Sequence, residues 1–144
     1  MTHRLKTVIS FMAVLAGCTP LDTYYKPGAT VANMQRTTTE CAVSALEKVP
    51  PSTQRCNGQG QCHVTPGYFV PGAVYEVDPN AQLRRRVVGQ CMTDAGFAPV
   101  SIPACPTNVA KAAPRASTTT LPALNANSCA IRNHDGSFQI VTRG

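Results

Sequence analysis

Residues 78–97 read DPNAQLRRRVVGQCMTDAGF, and their spacing predicts a helix with one apolar stripe. Asp78-Pro79-Asn80 supplies a capping side chain and an early proline, which the first turn of a helix tolerates. Leu83, Val87, Cys91 and Ala95 follow at intervals of four, and Gly96 marks the end, so this helix is expected over 79–95. An earlier stretch carries Val31, Met34, Thr38, Cys41, Ala42, Ala45 and Val49 at spacings of three and four. Pro50 and Pro51 stop it, because proline excludes helical geometry in the residue before it, so this helix is expected over 29–48. With the two stripes facing, Cys41 and Cys91 meet across a helical hairpin.

Beyond the helices the pattern changes. Phe97 to Ile102 alternates apolar and small residues before Pro103. Cys129 to Arg132 and Phe138 to Val141 lie on either side of Asn133-His134-Asp135-Gly136, a β-hairpin signal. Between the helices, Asn57-Gly58 and Pro66-Gly67 make turns, and Tyr68, Phe69 and Val70 are expected either to form a short extended segment or to cover the core. Residues 106–127 are rich in Ala, Pro and Thr and read as a flexible loop. The expected fold class is therefore α+β: a disulfide-linked helical hairpin packed with a small antiparallel β-sheet, with an irregular Pro/Thr/Ala-rich loop.

The first residues have a different job. Arg4 and Lys6 precede the apolar run Val8 to Val14, and Leu15-Ala16-Gly17-Cys18 closes it. This is the layout of a secretory signal, and its end resembles a bacterial lipobox at all four positions. In a lipobox the cysteine takes a diacylglycerol on sulfur, becomes the first mature residue and is commonly acylated on its amine. The eleven residues between Lys6 and Cys18 are too few for a spanning helix, which needs roughly 20. Residues 1–17 are thus expected to be a signal peptide, 18–28 a membrane-proximal tether rich in breakers, and 29–144 a small disulfide-stapled domain. Thr19 stands where an Asp retains enterobacterial lipoproteins in the inner membrane, so the expected location is the outer membrane, facing the periplasm.

Setting Cys18 aside leaves six cysteines in an oxidising compartment, and three disulfides are expected. Six cysteines allow 15 connectivities. Cys41 and Cys91 sit in helical patterns, Cys56 and Cys62 flank a short loop, and Cys105 and Cys129 bracket the low-complexity stretch, which favours those three pairings. Zinc held by Cys56, Cys62 and His63 is the sharper alternative, but the spacing is not a knuckle pair and a fourth ligand is not evident. Cys62-His63 also lacks the second cysteine of a haem attachment, and no Cys-x-x-Cys occurs. No metal and no cofactor beyond the covalent lipid is expected.

The whole chain carries a formal charge of +6, and the part after Gly17 carries +4, from 11 basic and 7 acidic side chains. Arg84, Arg85 and Arg86 form the one dense basic cluster, suited to lipid phosphate, glycan or an acidic partner, or simply to a solvated helix face. Nucleic acid is not an expected partner, since no aromatic residues interleave with the basic ones.

Together the lipobox, Tyr24-Tyr25-Lys26-Pro27-Gly28, Cys41 in the first helix and Cys91-Met92 with Gly96-Phe97 resemble small proteobacterial lipoproteins. The continuation Ile102-Pro103-Ala104-Cys105 is similar to alphaproteobacterial members. The resemblance implies an architecture and carries no catalytic residues. A noncatalytic envelope lipoprotein, structural or accessory and docking on an envelope protein or glycan, is the leading expectation. The alternatives are a small inhibitor or ligand-binding module presenting the Cys56 to Cys62 loop, and an envelope hydrolase using Glu40, Glu47, Glu76, Asp78 or Asp94. No Gly-x-Ser-x-Gly elbow, His-Glu-x-x-His helix or phosphate loop supports the last, so no enzyme is expected.

Overall fold

Thr30 closes the approach to the first helix: its side chain accepts a bond of 3.1 Å from the Asn33 amide, satisfying one free donor of the first turn. The helix, α1, spans Val31–Lys48 and stops before Pro50. Three consecutive threonines inside it would compete for the backbone, but Thr37, Thr38 and Thr39 each return a hydroxyl to the carbonyl four residues back. Met34, Cys41 and Ala45 are its buried face. In this computed structural model, residues 19–57, 60, 62, 63 and 74–143 are described. Cys18, the signal segment and the stretch expected to be extended at Tyr68 to Val70 lie outside them.

The second helix, α2, spans Ala81–Asp94. The Asp78 carboxylate accepts from the Asn80 amide at 2.9 Å and from the Ser52 amide at 3.2 Å, so it braces the turn ahead of the helix while Asn80 takes the capping position. The end is a Schellman motif: Gly96, at φ +83°, donates to the Thr93 carbonyl and Phe97 donates to the Met92 carbonyl. Met92 and Phe97 are both buried in one cluster, which is the apolar contact that accompanies this cap. The stripe of α2 departs from expectation at one end. Leu83 is exposed, whereas Val88, Cys91, Met92 and Ala95 form or border the core.

The helices run antiparallel. Arg84 and Asn80, at the start of α2, reach the carbonyls of Val49 and Pro50 at the end of α1. Cys41 and Cys91 form a disulfide with their Cα atoms 5.7 Å apart. The expected hairpin is therefore present as a pair of helices, but its connection is not a simple turn. It carries β2 (Gln54–Asn57), β3 (Cys62–His63) and β4 (Val74–Val77), an antiparallel sheet in the order β3-β2-β4. Cys56 stands opposite Cys62 in that register, and the two form a disulfide.

Two sequence expectations need correction. The tether expected over 18–28 is not irregular in its described part, 19–28, because Leu21–Tyr25 forms β1, paired antiparallel with β5 (Ala98–Ile102) in the register Leu21 with Ile102 to Tyr25 with Ala98. Pro20, Pro27 and Gly28 bracket this strand and do not interrupt it. The second concerns residues 106–127. They hold α3 (Thr107–Ala112), and Leu121 is only 1% exposed in the main core. Val31 donates to Thr119, Leu121 to Ala29, Gly28 to Leu121 and Thr118 to Phe138, so the segment is a hydrogen-bonded strap rather than a loop free of the body.

The hairpin of β6 (Ser128–Arg132) and β7 (Phe138–Thr142) forms as expected, with Gly136 at φ +83° closing its turn. Instead of one small sheet there are three among the described residues, but backbone bonds link two of them. Along the extension of β5 the Cys105 amide donates to the Ala130 carbonyl and the Ala130 amide donates to the Pro103 carbonyl, and Cys105 is bridged to Cys129. The pairings thus make a circuit: β1 to β5, β5 to β6, β6 to β7, β7 to the strap, and the strap back to residues 28–31. Met34, Cys41, Met92, Phe97 and Leu121 form the main core, and Leu21, Ile102 and Ala130 a second, smaller one.

Candidate functional site

The circuit and α1 create two clefts of different chemistry. The larger lies between α1 and the β1–β5 ribbon, about 790 Å³ in volume, with Asp22, Tyr24, Met34, Gln35, Thr38 and Val100 among its walls. Three consecutive residues of β1, Asp22 to Tyr24, and three of β5, Pro99 to Ser101, line it, while Leu21 is buried in the smaller core. On the helix side Met34 links core and groove, and the Thr23 hydroxyl lies 3.4 Å from its sulfur. Thr38 Oγ1 stays bonded to the Met34 carbonyl at 2.8 Å and also lies 3.7 Å from the Met92 sulfur. An apolar trough with a few hydroxyls, an amide and one carboxylate suits recognition of a mostly apolar ligand or peptide, and its volume falls within the range of about 300–1,000 Å³ usual for such sites.

The smaller cleft, about 320 Å³, sits where the described chain begins. Thr19, Leu21, Ala110, Lys111, Ile131 and Arg132 are among its walls. Arg132 Nη2 donates to the Pro20 carbonyl at 2.8 Å, fixing the entry of the chain to the end of β6. Among the described residues, no acidic side chain lines it.

The carboxylates singled out from sequence do not gather at either cleft. Glu40 and Glu47 are exposed on α1, and Glu76 forms an exposed ion pair with Arg55 at 3.8 Å. Asp94 accepts from Gln90 at 2.9 Å, an ordinary pair one helical turn apart. Asp78 is committed to Arg84, whose guanidinium, helped by the Ser52 and Asn80 amides, holds the carboxyl below its ordinary value. The arginine cluster is accordingly divided: Arg84 serves the turn, while Arg85 and Arg86 are exposed. At the hairpin tip the Ser137 hydroxyl and amide hold Asp135 below its ordinary value, which makes that residue part of the turn. The six cysteines form the three expected pairs. Among the described residues no cluster of three metal-ligating side chains occurs, and no helix is long and apolar enough to cross a membrane.

The groove is the feature that sequence reading missed. Its walls come from residues 22–24, 34, 35, 38, 39 and 99–101, three stretches that only the fold brings together, so no local signal marked it. Comparison with family models, with curated proteins and with solved structures finds no match to the chain.

Proposed function

We propose that the chain is a noncatalytic envelope lipoprotein, held in the outer membrane by acyl groups on Cys18 and facing the periplasm, with an accessory role in docking an envelope partner. The observation that carries this reading is the junction between lipobox and fold. Leu21, three residues after Cys18, is 6% exposed and belongs to the second core cluster, so cleavage at the lipobox would remove the apolar leader and leave the domain whole. Several acyl chains on one residue lie above the marginal membrane affinity of one chain, since each buried CH2 adds about 0.8 kcal/mol.

Mass spectrometry of the protein extracted from membranes tests the reading. The N-terminal peptide should start at Cys18 and carry acyl mass, and Cys18→Ser should leave an unacylated precursor. A wild-type protein found unacylated and free in the periplasm would overturn it. The apolar groove favours a second reading in which the docked partner is a ligand or peptide seated between α1 and β1. Crosslinking from Gln35 or Ser101 in intact envelopes distinguishes groove occupancy from docking elsewhere.

A further inference from the structure

The distance between anchor and domain is set by β1, which starts at Leu21. A ten-residue tether would let the domain tumble above the membrane, but β1 begins at Leu21 and Pro20 is bonded to Arg132. Three residues span at most about 10 Å when extended. The entry cleft is therefore held about one Debye length from the headgroups at physiological salt, close enough for its charges to be felt.

The charges at that place are of one sign. Lys111 and Arg132 are both exposed, contributed by α3 and the end of β6, and both line the cleft that Thr19 enters. The strap and the β6–β7 hairpin hold these two elements together, with Cys105 to Cys129 as a covalent link between them. The geometry points to this cleft as a docking surface for the anionic phosphate headgroups of the membrane that carries the anchor, mounting the domain in one orientation. The inference rests on acylation of Cys18.

The test uses the full mature chain purified from membranes, with acylation at Cys18 checked by mass, in vesicles of phosphatidylcholine alone or mixed with phosphatidylglycerol. The headgroups carry a nitroxide quencher. A fluorophore is placed at Asn108→Cys, exposed one helical turn before Lys111, or at Ala126→Cys, exposed beyond the opposite end of β6. The label at position 108 should be quenched severalfold more than that at position 126. Lys111→Gln should lower the docked-to-lifted ratio about fivefold in the anionic vesicles, the factor corresponding to about 1 kcal/mol per cation near such a surface. Lys111→Arg should restore it, and the neutral vesicles should show no difference between the variants. Equal quenching at the two positions in an acylated protein, or no effect of Lys111→Gln, overturns the orientation and leaves the lipoprotein reading standing. An unacylated Cys18 overturns both.

Discussion

Removing the Cys41–Cys91 bridge should destabilise the protein more than removing the Cys56–Cys62 bridge. The first closes a sequence separation of 50 residues and the second a separation of 6. Loop-closure entropy gives about 4.1 kcal/mol for the longer loop and about 2.2 kcal/mol for the shorter, a difference of about 2 kcal/mol. Packing adds to the same side. Cys41 is 2% exposed among Met34, Met92 and Leu121, and the bridge joins the two helices that share this core. Cys56 is equally buried, but its bridge ties two neighbouring strands that also share a backbone ladder. At about 4 °C per kcal/mol for a domain of this size, Cys41→Ala with Cys91→Ala should melt about 8 °C below Cys56→Ala with Cys62→Ala. Thermal unfolding by circular dichroism without reductant reads the difference. Equal melting temperatures, or a larger loss at the small loop, would refute the argument that the helix pair depends on its cross-link.

Leu121→Ala should cost about 2–5 kcal/mol in urea unfolding, as for other buried leucines, and a loss below about 1 kcal/mol would return residues 106–127 to the status of a free loop. Gly96→Ala should cost about 1–2 kcal/mol, because the Schellman cap needs the left-handed backbone at φ +83°, and an unchanged urea midpoint would count against it. Asp78 has its carboxyl held below the ordinary 3.8, so its stabilisation is complete above that pH and fades as pH falls through the folded value. Asp78→Asn should therefore flatten the decline of stability across that acidic range, and an unchanged slope in pH-dependent urea unfolding would rule out the Asp78–Arg84 pair as its source.

The features legible in the sequence are those decided by neighbours a few positions apart. The helices, the proline stop after Val49, the Gly96 cap and the Asp135-Gly136 turn depend on periodicity and on backbone preferences within about one turn. The three cysteine pairings were also legible, because each pair sits in or beside a recognisable local element. Residues 18–28 and 106–127 were misread for the opposite reason. Leu21 pairs with Ile102, and the Tyr25 hydroxyl donates to the Pro122 carbonyl and accepts from the Leu124 amide, 99 residues away. A strand or strap of weak local character gains its order only from such distant partners, whose backbone groups must be satisfied once buried. The sequence by itself determined two helices, a hairpin and a disulfide framework. Tertiary structure alone decided that the strands close a circuit through the low-complexity segment, that a groove opens along α1, and that ordered structure begins with a strand at Leu21, because each of these rests on partners distant in sequence.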